Sequence, residues 1–139
     1  MKKPLLLFAI KCCVIIYFAA CTSIDKLAVS ESISPLVTKG TWKVNCFSNA
    51  NTDNTCDFKD YTFTFNNNGQ VTAVKDGINF TGHWIEDNIS KKITIHFKNS
   101  NAVLNGLNKY WDITSVTSDG ISFEKTSDRN TDKFYITAL

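Results

Sequence analysis

The sequence predicts an all-β fold, eight antiparallel strands in an up-and-down meander that closes into a small barrel. Three observations carry this. Tyr61, Phe63 and Phe65 alternate with Thr62 and Thr64, the period of a strand with one buried face. Two Gly-containing reversals, Asn67-Asn68-Gly69 and Ser118-Asp119-Gly120, separate alternating apolar runs. In each, a three-residue loop puts the runs on one face, with Gly in the left-handed conformation. Finally, the alternating segments number eight, the count at which a sheet can close and lose its edges.

The chain has 139 residues, a single-domain length. Residues 1–20 have the layout of an export signal: Met1-Lys2-Lys3 supplies positive charge, an apolar run follows, and small residues precede Cys21. Lys11 interrupts that run, so a short core and a mid-run charge argue against a membrane span. The leader carries Lys2, Lys3 and Lys11, which leaves 12 of the 15 basic residues against 13 acidic ones, a net charge of −1. Such a balance gives no electrostatic footprint for nucleic acid.

Phe18-Ala19-Ala20-Cys21 resembles the lipobox of bacterial lipoproteins. The resemblance implies that Cys21 is acylated, becomes the new N-terminus and anchors the protein to a membrane. Thr22, not Asp, follows it, so the outer membrane is the expected address. Residues 21–39 then form the lipid anchor and a polar, Ser-rich tether. Within the tether, 33–37 is apolar enough to dock as a short turn.

The domain is expected over 40–139. Trp42, Val44 and Cys46 share one face of the first strand. Gly40-Thr41-Trp42 resembles the opening motif of lipocalins, in which the Trp closes one barrel end, and Gly82-His83-Trp84 repeats it. The whole of 40–139 is similar to small lipocalin-like lipoproteins of Bacteroidetes-type bacteria. It lacks the Thr-Asp-Tyr motif of true lipocalins, and its single arginine, Arg129, precedes the last strand. The likeness therefore bears on architecture more than on ligand chemistry.

Between Cys46 and Cys56 lies a polar loop. In an exported domain the pair is expected to form a disulfide, contributing roughly 2.5–3 kcal/mol through loop closure. After the central hairpin, Phe80, Gly82 and Trp84 lie on one face of the next strand. Ile93, Ile95 and Phe97 turn inward on the strand over 92–98, and Thr94, His96 and Lys98 outward. Residues 99–108 break the period, and a helical turn there would let Val103, Leu104 and Leu107 plug one barrel end. Trp111 and Ile113 face Ile121 and Phe123 across the next hairpin, and the last strand turns Phe134, Ile136 and Ala138 to one side.

For chemistry the chain offers little. Pairing Glu86 with Ile93 would set His83 across from His96 on the outer face, two imidazoles without a third metal ligand. Asp57, Asp60, Asp76, Glu86 and Asp87 fall at strand ends or turns, where carboxylates are solvated rather than paired for acid–base work. No cofactor motif is present. The remaining candidates are inward rings. Trp42, Phe63, Phe65, Trp84 and Trp111, with Tyr61, Phe97, Phe123 and Phe134, either line a cup for an apolar ligand or fill the barrel. The expectation is a lipid-anchored, non-catalytic envelope protein that binds a small apolar molecule or an envelope partner. The alternative is a structural module with a solid core.

Overall fold

The computed structural model describes residues 31–139. The leader, Cys21 and most of the tether lie outside these residues. Apolar alternation becomes strand at each expected place. A helical turn α1 (Ser34–Val37) leads into β1 (Thr41–Asn49), β2 (Thr52–Asp53) and a 3-10 turn (Thr55–Phe58). Then follow β3 (Thr62–Phe65), β4 (Gln70–Lys75), β5 (Ile78–Asp87), β6 (Lys92–Phe97), the turn α2 (Ala102–Asn105), β7 (Lys109–Val116), β8 (Gly120–Thr126) and β9 (Thr131–Ala138). From β3 to β9 each strand pairs antiparallel with the next, and β1 pairs with both β3 and β9. The sheet thus closes as an eight-stranded antiparallel barrel, β2 being a two-residue extension beside the end of β1.

The up-and-down course gives the barrel two ends. One carries α1 and the β3–β4, β5–β6 and β7–β8 turns. The other carries the 3-10 turn, α2 and the β4–β5 and β8–β9 turns. Both ends are stoppered by short apolar segments. Ile33 and Val37 of the α1 segment are fully buried, so the packed unit reaches upstream of Gly40. Leu104 and Leu107 around α2 are buried at the opposite end, as are Phe58 and Tyr61. Asn101 caps α2 by accepting from the Leu104 N–H (3.1 Å), and its amide donates to the Tyr61 hydroxyl (2.6 Å), tying the plug to the wall.

The first hairpin follows the expected rule. Asn66 N–H donates to the Gln70 carbonyl (2.8 Å), three residues form the loop, and Gly69 has φ +82°. The second reaches the expected faces by another route. Thr117 stands opposite Gly120, leaving a two-residue loop of Ser118 and Asp119, and Val116 pairs with Ile121. An extra residue, Thr114, then shifts the register between Ile113 and Ser115. The bulge restores Ile113 opposite Phe123 and leaves both buried. Gly120 is required by a neighbour and not by its backbone angle, because a Cβ there would lie 2.9 Å from the Tyr135 ring.

A second bulge corrects the reading of β1. The register slips between Val44 and Cys46, so Asn45 is the extra residue. The inward row becomes Trp42, Val44 and Phe47, and Cys46 moves to the outer side, partly exposed. The bridge expected between Cys46 and Cys56 is not formed in the structure. Both are free thiols, with Cys56 exposed on the 3-10 turn. Nor is the segment between them slack. Ala50 and Asn51 turn with φ of +49° and +62°, the Asn54 N–H donates to the Phe47 carbonyl (2.8 Å), and the Phe47 N–H donates to Thr55 Oγ1 (2.9 Å).

The space left on the inner face by Gly82 is taken by Phe97, its partner in the β5–β6 register. A Cβ at Gly82 would sit 2.5 Å from the His96 carbonyl oxygen and 2.9 Å from Phe97 Cδ1. Backbone on one side cannot give way cheaply. Gly82→Ala should therefore destabilise the domain by about 1–3 kcal/mol. Urea unfolding should show a lower midpoint with an unchanged slope.

Candidate functional site

The five rings singled out in the sequence all lie inside the barrel. Trp42, Phe63, Phe65 and Trp111 are at most 2% exposed, and Trp84 is 7% exposed. Four of them meet other rings. Phe65 and Trp84 meet edge-on with centroids 5.7 Å apart, Phe63 meets Phe97 at 6.4 Å, and Trp111 packs on Phe134 at 5.4 Å. Phe123 stacks on Phe134 at 5.2 Å. Phe47 joins this cluster against Trp111 and Phe58. Sequence alternation missed Phe47 because the Asn45 bulge reverses the face, and missed Phe58 because it plugs from outside the strand pattern.

Each indole N–H is already used. Trp42 donates to the Val37 carbonyl (2.7 Å), Trp84 to the Asn66 carbonyl (3.0 Å) and Trp111 to the Leu107 carbonyl (3.1 Å). The acceptors belong to the α1 plug, the β3–β4 turn and the α2 plug. Buried Trp needs a partner for its N–H, and here each partner is the backbone of an element that closes a barrel end.

Polar groups gather instead at the α1 end. Glu86 ends the inward row of β5 opposite the buried Ile93. Its place at a strand end predicts a solvated carboxylate, but it accepts four hydrogen bonds from the docking segment. Ser32 Oγ (2.6 Å), Ile33 N–H (2.8 Å), Ser34 N–H (3.2 Å) and Ser34 Oγ (2.7 Å) all donate to it. Partial burial pushes its pKa up, but these donors outweigh burial and hold the carboxyl below its ordinary value. The sequence signal was the Ser-x-Ser before an apolar turn, which supplies donors in search of an acceptor. Beside this clamp, Ser32, Ser34, Asn67, Trp84, Ile85 and Asn88 border an open hollow of about 340 Å³.

The outer wall has two further clusters. His83 pairs with His96 as the register predicted, both exposed. Among the described residues no group of three or more His, Cys, Asp or Glu is placed to hold a metal ion. Tyr110 lies beneath Lys125 Nζ, 3.1 Å from the ring centroid, and near Lys92 Nζ at 4.7 Å. Hydrogen bonding to Lys125, with the charge of both lysines, lowers the Tyr110 pKa. At the α2 end, Lys109 bridges to Asp132 at 2.7 Å, and Asp132 also accepts from the Ala50 N–H (2.8 Å).

No protein-family model matches the chain, and no curated protein matches it. Among solved structures the barrel is similar to a DUF4847 family protein from Bacteroides vulgatus, with a TM-score of 0.55 and 16% identity. The match covers 78% of this chain and 98% of the other. At that identity the likeness is one of fold.

Two outcomes follow for the site. Trp84→Ala would remove the ring that meets Phe65 and the donor to Asn66, so a loss of about 3–5 kcal/mol is expected in equilibrium unfolding. Glu86→Gln keeps the shape but replaces one acceptor oxygen by a donor. Because the folded pKa of Glu86 is lowered, its contribution is present at neutral pH and lost as pH falls through the folded value. The stability gap between wild type and Glu86→Gln, measured by urea midpoints, should be widest near pH 7 and shrink in acid.

Proposed function

We propose that this protein is a lipid-anchored, non-catalytic module of the cell envelope that recognises an envelope partner through its loops and outer wall. The barrel interior serves as its structural core. The observation that carries the reading is the packed interior. Each candidate residue is at least nine-tenths buried, and α1 and α2 stopper the two ends. An apolar ligand entering this barrel would have to displace side chains that already satisfy one another, at a cost typical of overpacking. Anchoring rests on the lipobox-like Phe18-Ala19-Ala20-Cys21 and on Thr22 after it, which favour acylation of Cys21 and an outer-membrane address. Stable retention follows when more than one acyl chain is attached.

Both parts are measurable on the protein from its own envelope. Intact mass should give a mature N-terminus at acylated Cys21, and Cys21→Ala should leave the membrane fraction or accumulate as precursor. An unmodified N-terminus elsewhere rejects the anchor. Native mass spectrometry should release no retained small molecule, and apolar probes should not raise the melting temperature. A probe that binds with micromolar affinity and raises the melting temperature by mass action would replace the partner reading with a ligand cup.

A further inference from the structure

The outer surface carries few large apolar side chains, and their distribution is uneven. Ile78, Ile85, Ile89, Tyr110 and Leu139 are the exposed ones among the described residues. Three of the five belong to the α1 end. Ile85 borders the hollow beside Ser32, Leu139 borders a second hollow with Leu36 and Trp42, and Ile89 is the tip of the β5–β6 turn. Ile89 is 96% exposed, so nothing in the fold accounts for its being apolar.

The turn that presents it is rigid. The Asp87 carboxylate accepts from the Ile89 N–H (3.0 Å), the Ser90 N–H (3.1 Å) and Ser90 Oγ (2.6 Å), and Lys91 Nζ donates to Asn88 Oδ1 (2.7 Å). A turn fixed beforehand loses little freedom when its tip is seated. It also lies beside the point where the upstream chain reaches the barrel. Glu86, which grips Ser32 to Ser34, is three residues before Ile89 on the same strand and turn, and Asn88 shares a hollow with Ser32.

From these placements we infer that the α1 end of the barrel rests on the lipid bilayer, with Ile89 inserted at the interface and Ile85 and Leu139 at the same end of the barrel. The inference rests on the reading of Cys21 as the lipid anchor. Ten residues, 22–31, separate Cys21 from the clamped Ser32. Fully extended they reach at most roughly 35–40 Å, and they attach at the end that carries the exposed apolar tip. The acyl chains and Ile89 therefore act on one face of the domain. The anchor raises the local concentration of that face at the membrane, and burial of Ile89 then favours that orientation over others. The α2 end, with the β2 hairpin and the β8–β9 turn, is left pointing away from the lipid for a partner.

The test uses the full-length protein in membranes of its own host. A photoreactive benzoylphenylalanine replaces Ile89 in one sample and Asp128, in the turn at the opposite end, in another. Both sites are exposed turns, and correct folding is checked by circular dichroism. After irradiation, position 89 should yield phospholipid adducts several-fold more abundant than position 128, read by mass spectrometry together with the N-terminal peptide. If Cys21 is acylated and position 89 gives no more lipid adduct than 128, the seating is wrong and the anchor stands. If position 89 links instead to a protein, that face is a partner surface and the inference is overturned. If Cys21 carries no acyl group, anchor and seating fall together.

Discussion

Closure of the sheet at Trp42 is the constraint on which the remaining structure depends. This one residue pairs with Phe63 of β3 on one side and Ala138 of β9 on the other. Its indole donates to the last carbonyl of α1, so the same side chain joins the two halves of the wall and fastens a stopper. The junction is uneven. β1 shares only two register positions with β3, against a run along β9 from Trp42 to Ser48. Where β1 and β3 part, the gap is filled by the 3-10 turn, whose Phe58 meets both Phe47 and Phe63. An open seam in a small sheet would expose strand edges and core together, and Phe58 covers it.

A second consequence is that the three tryptophans act as fasteners as much as filler. Aromatic rings supply most of the buried area in a core of this size, but a tryptophan also brings one donor that must be satisfied. Here the donors go to Val37, Asn66 and Leu107, all in segments with little regular pairing of their own. Short turns such as α1 and α2 cannot persist alone, since helix nucleation is unfavourable over four residues. Docking against a ring and a hydrogen bond to it together hold them.

Much of this was legible beforehand because β structure is written in parity. Phe63 and Phe65 have to share a face with Ala73 and Val71 across a three-residue loop, and the register of the first hairpin follows from that. The pairing of Glu86 with Ile93 placed His83 opposite His96 in the same way. Parity fails where one residue is inserted. Asn45 and Thr114 are bulges, and no propensity distinguishes them from their neighbours. The first turned Cys46 outward and Phe47 inward, and the second corrected a turn one residue shorter than expected. Glu86 departs from its expected solvated state for a different reason. Its inward direction was legible, but the donors that make it a clamp come from residues 52 to 54 positions upstream, and only the docked segment brings them there.

That clamp also decides how tension would travel through the molecule. A pull on the chain upstream of Ser32 does not begin at β1, where a strand could be stripped from the seam one pair at a time. It passes first through the Glu86 carboxylate into β5, which is flanked by six register pairs to β4 and six to β6. Force applied along a doubly paired strand must shear many hydrogen bonds at once, whereas force on a free end unzips them in sequence. The serine hydroxyls around Glu86 are therefore the first bonds that such a pull loads, ahead of the strand pairs of the wall.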